Sequence, residues 1–239
     1  MKKIKINFTD FWGGFDKTNN YFYNLLKDEF DVEISNNPDY LFFSVFGNSS
    51  QYYNCTKIFF TGEDRVPPFP YCDWAFSFER TGGNNYRLPI YLLYYGYYEL
   101  VDKKVDESMV NRKFCNFVVS NGNCEPRNEI YDKLSKYKRI DSGGRFANNI
   151  GGPVVDKLEF QSHYKFSLAY ENYTREFSDM VSSGLSSRKC SITSEKVLEP
   201  MKSNSIPIYW GNPLIGEEFN TESFINRYDF GSDEEMIDY

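Results

Sequence analysis

Between His163 and Pro213 the chain spells out strand, helix and strand in succession. Lys165–Tyr170 is an apolar strand pattern that ends on a polar pair, Glu171–Asn172. Ile206–Trp210 is a second apolar run, closed by Gly211-Asn212-Pro213. Between them a helix is expected to start near Thr193-Ser194-Glu195-Lys196. Strand, helix, strand is the βαβ unit of a parallel sheet, whose ligands sit beyond the carboxyl ends of the strands. Polar residues at both strand ends, with a hydroxyl, a carboxylate and a lysine at the helix start, suit an anionic, sugar-bearing ligand.

The rest of the chain follows the same grammar. Lys5–Phe8 alternates as a first strand and leads into Phe11-Trp12-Gly13-Gly14. Asn20–Phe30 carries Tyr21, Leu25, Leu26 and Phe30 at helical spacing. Val32–Ile34 and Tyr40–Phe46 read as strands, the second apolar throughout and so buried on both faces. Lys57–Phe60 and Trp74–Phe78 are two more, ending at Thr61-Gly62-Glu63-Asp64 and at Glu79-Arg80. After a tyrosine-dense stretch, Tyr86–Leu100, and a charged one, Val101–Asn111, the pattern restarts, which sets domains of 1–107 and 108–239. Lys113–Val119 predicts a strand, and Arg127–Lys136 a helix with Ile130 and Leu134 on one face. Ser142-Gly143-Gly144-Arg145 predicts a glycine turn, and Phe224–Phe230 a last strand. Glu234–Tyr239 reads as the first turn of an uncompleted helix, so the second domain is expected to be truncated. Strands alternating with helices define an α/β fold.

Composition narrows the function. At 41% hydrophobic and 19% aromatic residues the chain can build packed cores. A net charge of −7 argues against a nucleic-acid partner bound by phosphate neutralisation. Five cysteines without a CxxC pair point to a reducing compartment, and one histidine leaves little for a His-based metal site or triad. MKKIKINF is too short in apolar length for a signal peptide, and no run approaches the roughly 18 apolar residues of a membrane span. The expected location is cytoplasmic.

Several residues can carry chemistry. Glu63 should project from a strand's carboxyl end beside an apolar neighbour, which favours a general base, although a solvated turn residue would have the same spacing. Glu79 has the same placement, and spacing does not separate the two. Arg127, after Pro126, falls in the first turn of a helix, where its forked donors would add to a phosphate cradle; a surface arginine fits equally. Arg145 is a weaker instance. Ser194 or Thr193 can cap the next helix and Glu195 then suits its dipole, but Lys196 does not, unless a ligand anion compensates. No Asp-x-Asp, GxxxxGK[ST] or GxGxxG is present, and no metal is implied.

These residues resemble the α-1,3/4-fucosyltransferases of glycosyltransferase family 10, in particular the bacterial kind that builds Lewis-type antigens. YKFSLAYEN (164–172) is similar to the family's YKFxLxFEN strand, Ser194-Glu195-Lys196 to its TEK, and Ile206–Gly211 to its IPIYWG. KFCNFVVSN (113–121) with Arg127-Asn128 resembles its first donor-domain strand and helix, and Thr61-Gly62-Glu63 its TGE. The Ile6–Gly13 stretch is a weaker match. The resemblance implies two Rossmann-like domains of the GT-B type facing across a cleft, GDP-fucose on the second and the acceptor on the first. It implies an inverting single displacement that needs no cofactor, with Glu63 as the base. Arg127 and Lys196 would hold the diphosphate, Glu195 the donor sugar, and Asn172 would line the same pocket. The acceptor would be an N-acetyllactosamine-type oligosaccharide or glycolipid, fucosylated on GlcNAc, α-1,3 rather than α-1,4, for lipopolysaccharide or capsule. Peripheral contact with the inner membrane would belong to a tail beyond this chain. The sequence departs from the family in residues 173–193, a longer connection than the family's, and in Pro200 inside the expected helix. Those departures define the alternative, a GDP-sugar- or glycan-binding remnant of the same fold without turnover.

Overall fold

A computed structural model describes residues 1–63, 65–80, 82–94, 106–172 and 192–239, in two compact units, Met1–Pro89 and Ile90–Tyr239. The stretch 95–105 beside the expected domain boundary, and residues 173–191 of the long connection, lie outside the described residues.

The first unit is built on six strands: β1 (Lys2–Thr9), β2 (Phe30–Ile34), β3 (Tyr40–Phe43), β4 (Thr56–Phe60), β5 (Trp74–Ser77) and β6 (Asn85–Arg87). They pair in parallel in the order β2-β1-β3-β4-β5-β6. Ile4, Ile6, Asn7 and Phe8 of β1 are buried, and Leu41, Phe42 and Phe43 of β3 are buried consecutively. Consecutive burial is what a strand covered on both faces requires. The helix expected over Asn20–Phe30 is shorter: α1 spans Tyr21–Lys27, capped by Asn20, whose side chain accepts from the Tyr23 N–H. It buries Phe22, with ring centroids 5.1 Å from Phe42 and 5.2 Å from Phe60, and leaves Tyr21 and Leu25 exposed. Phe30 already belongs to β2, so the spacing from Leu26 to Phe30 crosses a helix–strand junction and marks no common face.

The second unit runs α2 (Tyr91–Tyr94), β7 (Lys113–Phe117), α3 (Glu125–Tyr137), β8 (Ile140–Ser142), α4 (Lys157–Ser162), β9 (Tyr164–Tyr170), α5 (Glu195–Lys202), β10 (Ile206–Trp210), β11 (Ile225–Asn226) and α6 (Asp233–Asp238). Its sheet is parallel in the order β11-β10-β9-β7-β8. Counted from its own first strand this is 2-1-3-4-5, the same order as the first five strands of the other unit. In such doubly wound sheets the chain reverses direction between the first and third strands, and a crevice opens there at the carboxyl ends. In the second unit that point lies between β7 and β9.

One face of this sheet packs Phe117, Ile130, Leu134, Leu168, Tyr170, Ile208 and Met236, and a separate cluster holds Ala169, Val197, Tyr209, Ile215 and Phe224. Neighbouring residues of β9 and β10 thus enter different cores, which is why both strands are apolar throughout. The strand expected over Phe224–Phe230 is only two residues long, because the Asn226 side chain accepts from the Tyr228 N–H and turns the chain into a 3-10 turn, Arg227–Asp229. Pro200 does lie inside α5, and the helix stops two residues later. Asn204, at φ +54°, closes it: the Ser205 N–H donates to the Pro200 carbonyl (2.9 Å) and the Asn204 N–H to that of Met201 (3.1 Å). Among the described residues no helix is long and apolar enough to cross a membrane.

Candidate active site

At the carboxyl end of β7 the chain turns through Asn121-Gly122-Asn123 into α3, with Pro126 in the first turn, where its missing N–H is harmless. Arg127 follows and folds inward, fully buried. Its Nη2 donates to the Asn121 carbonyl and its Nη1 to Oδ1 of Asn172, the exposed second residue beyond β9. Nε finds no partner among the described residues. Burial pushes the guanidinium down, against the pull of Cys124 and Glu171. The loop after β8 crosses close by: the Gly143 N–H reaches the Phe117 carbonyl (2.9 Å) and the Phe146 N–H that of Val119 (3.1 Å). A Cβ on Gly144 would stand 1.8 Å from the Val119 carbonyl oxygen, so only glycine fits the turn read from Ser142-Gly143-Gly144. Arg145 beside it is exposed.

On the neighbouring strand Glu171 is the residue directly after β9. It is 1% exposed, and its backbone N–H continues the sheet to the Trp210 carbonyl (2.8 Å). Its carboxylate accepts from the Ser194 N–H (2.7 Å) and the Ser194 hydroxyl (2.6 Å) and pairs with Lys196 Nζ at 3.4 Å. Ser194 caps α5, and Lys196 Nζ also donates to the Ser194 hydroxyl (3.0 Å) and lies 3.4 Å from Glu195. Burial alone would lower the Lys196 ammonium, but the two carboxylates outweigh it and hold the group above its ordinary value. Burial likewise opposes ionisation of Glu195, yet Lys196 and Lys157 bring its carboxyl below the usual range. Behind them, buried Asn212 donates to the Thr193 hydroxyl (3.0 Å), and a Cβ on neighbouring Gly211 would come 2.4 Å from Glu171 Cγ.

Four of the five residues to which the family resemblance gives site roles, Arg127, Asn172, Glu195 and Lys196, therefore gather at the carboxyl edge of one sheet. Two cations, one with its charge secured by neighbouring carboxylates, thus lie beside the start of a helix, an arrangement of the kind that suits anionic ligands. Glu171, the most deeply placed carboxylate of the cluster, was legible only as a polar residue after an apolar run. Nothing local says that Ser194, far along the chain, returns to bury it.

The fifth residue, Glu63, belongs to the first unit. It is exposed, just beyond β4, and its turn is fixed by buried Thr61, whose hydroxyl accepts from the Glu63 N–H and donates to the Glu63 carbonyl, both at 2.9 Å. Glu79 sits half-buried beyond β5, its N–H bonded to the Ser77 hydroxyl (3.1 Å). At the reversal point of this sheet, between β1 and β3, Asp10 takes a left-handed φ of +59°. Its carboxylate accepts from the Ser49 and Ser50 N–H groups at 2.8 Å each, which ties the two loops together.

Comparison with known proteins agrees with this architecture. Residues 6–94 match the family model of the alpha-(1,3)-fucosyltransferase FucT N-terminal domain, and residues 109–239 that of the glycosyltransferase family 10 (fucosyltransferase) C-terminal region. The chain is 29% identical over 282 aligned residues to alpha-(1,3)-fucosyltransferase FucT of Helicobacter pylori, covering 99% of this chain and 56% of that protein. It is 28% identical over 141 residues to putative fucosyltransferase R654 of Acanthamoeba polyphaga mimivirus, covering 53% of this chain and 21% of that one. The chain thus spans little more than half the length of the first relative and about a fifth of the second. Crystal structures of an alpha1,3-fucosyltransferase with GDP-fucose and with GDP superpose with TM-scores of 0.80 and 0.79 at 27% identity, over all of this chain and 78% and 77% of theirs. Two parallel Rossmann-like sheets of GT-B type and a family match over its second half and most of its first establish that the chain belongs to glycosyltransferase family 10, the fucosyltransferases.

Proposed function

We propose that the chain is an inverting fucosyltransferase that moves L-fucose from GDP-fucose to the GlcNAc of an N-acetyllactosamine-type acceptor in α-1,3 linkage. The observation that carries this reading is the cluster at the reversal point of the second sheet, where Arg127, Asn172, Glu195 and Lys196 converge on the carboxyl ends of β7 and β9. The relatives solved with GDP-fucose and with GDP support the choice of donor.

In this mechanism the acceptor hydroxyl oxygen attacks the anomeric carbon of fucose while the bond from that carbon to the β-phosphate oxygen breaks. The hydroxyl proton passes to the Glu63 carboxylate, and GDP leaves with one more negative charge than it had as an ester. Arg127 and Lys196 meet that charge with fixed cations, the kind of preorganised electrostatics that contributes most to such steps. Glu195 holds the fucose and Asn172 lines the pocket. No cofactor is assigned, because the side-chain cations and the helix start take the charge that a metal would otherwise carry.

Calorimetry with GDP and UDP, combined with a transfer assay on N-acetyllactosamine, tests the proposal. GDP binding with transfer supports it, GDP binding without transfer identifies a binding remnant, and preference for UDP refutes the donor assignment.

A further inference from the structure

The sequence places residues 173–193 between two halves of the donor cluster, a long way for the chain to go and return with its ends in register. The ends do meet. Asn172 bonds to Arg127, and next to it Glu171 holds Ser194 by both its N–H and its hydroxyl, at 2.7 and 2.6 Å. Loop-closure entropy grows only logarithmically with length, so a few bonds at the mouth of a connection can hold it at many lengths. The Glu171 carboxylate is 1% exposed, in contact with Lys196 and confined by Gly211, and the displacement chemistry above gives it no role.

We propose that Glu171 is a positioning residue of the donor site: it ties the start of α5 to the end of β9 and so directs Lys196 at the donor diphosphate. Three features set it apart from an ordinary buried ion pair. It receives two bonds from the capping residue of the helix that carries Lys196, so the orientation of the helix and of the ammonium depend on one carboxylate. Lys196 Nζ reaches back to the same Ser194 hydroxyl at 3.0 Å, which closes a ring of Glu171, Ser194 and Lys196. Gly211, at the end of β10, leaves the space that Glu171 fills, so all three elements of the βαβ unit meet on this side chain.

Charge and position predict opposite outcomes for Glu171→Gln. The glutamine can still accept from the Ser194 N–H, but it no longer attracts Lys196. If Glu171 acted only as a nearby negative charge, its removal would tighten the binding of an anion. If it positions Lys196, its removal weakens that binding. The inference rests on the assignment of GDP to this site, and the test keeps the two apart. GDP and guanosine are titrated into wild type, Glu171→Gln, Lys196→Met and the double variant, and thermal unfolding of each is recorded. The expected result is a roughly tenfold loss of GDP affinity in Glu171→Gln, the scale of a lost charge-assisted hydrogen bond, with guanosine unchanged. On the Lys196→Met background the same substitution should add less than about twofold, because coupled residues are not additive. Unchanged or tighter GDP binding by Glu171→Gln, equal losses for GDP and guanosine, or full additivity overturns the proposal. A wild type that binds no GDP overturns the donor assignment itself.

Discussion

Arg127 donates through one guanidinium nitrogen to the side-chain oxygen of Asn172 and through another to the Asn121 carbonyl, so a single buried cation links the chain segments that leave β7 and β9. Replacing it by alanine removes the charge and leaves two acceptors without a donor. GDP affinity should fall by at least roughly tenfold, and stability should drop by about 3 kcal/mol, the scale for breaking a buried charged contact. Lysine keeps the charge but cannot bridge both acceptors, so Arg127→Lys should bind GDP more like the alanine variant than like wild type. Calorimetry and thermal melts check both.

Glu63 and Glu79 are a second pair, to which the proposed mechanism gives different roles. Glu63→Gln should lower the turnover of fucosyl transfer by roughly 10²- to 10⁴-fold, the range for loss of a general base, with GDP affinity and melting temperature unchanged. Glu79→Gln should retain most of the transfer. Equal losses would mean that the base has been misassigned.

Sequence patterns foretold β1, β4, β5, β9 and β10, and the starts of α3 and α5, because apolar runs and capping residues are local signals. The αL closure after Pro200 was half legible: the proline stood out as an anomaly inside the expected helix, but Asn204, which closes it, did not. What failed had a common cause. The buried side of α1 is Phe22 because it packs on Phe42 and Phe60, β11 is short because Asn226 caps a turn, and Glu171 is buried because Ser194 comes back to it. Each depends on a partner that periodicity does not report.

Asp141 offers a test at acid pH. Burial opposes its ionisation, but Lys113 and Arg139, at 3.0 and 2.9 Å, and the Tyr164 hydroxyl, at 2.8 Å, bring its carboxyl down to about 2. A carboxylate with a lowered folded-state value stabilises fully above its unfolded value, 3.8, and loses that contribution as pH falls toward about 2. Asp141→Asn should therefore cost about 2 kcal/mol at neutral pH, with the gap to wild type closing over that acid window. Urea titrations at several pH values measure it; a gap that stays constant with pH would contradict the assignment.

Gly211→Ala tests the packing around Glu171. The added methyl would stand 2.4 Å from Glu171 Cγ and 2.7 Å from the Tyr209 hydroxyl, inside contact distance of both. The expected loss is about 1–3 kcal/mol, with GDP affinity falling alongside, since the strand end and the carboxylate cannot both keep their places. A variant that melts and binds GDP like wild type would show that this corner has slack.

The central claim is transfer of fucose from GDP-fucose with Glu63 as the base, and one assay addresses it directly. Wild type and Glu63→Gln are incubated with GDP-fucose and N-acetyllactosamine, with and without chelator, and the fucosylated trisaccharide and released GDP are quantified together. The account predicts equimolar trisaccharide and GDP from wild type, unaffected by chelator, and almost none from Glu63→Gln although that variant still binds GDP. A wild type that forms no trisaccharide, or a Glu63→Gln variant that forms it at the wild-type rate, would contradict it.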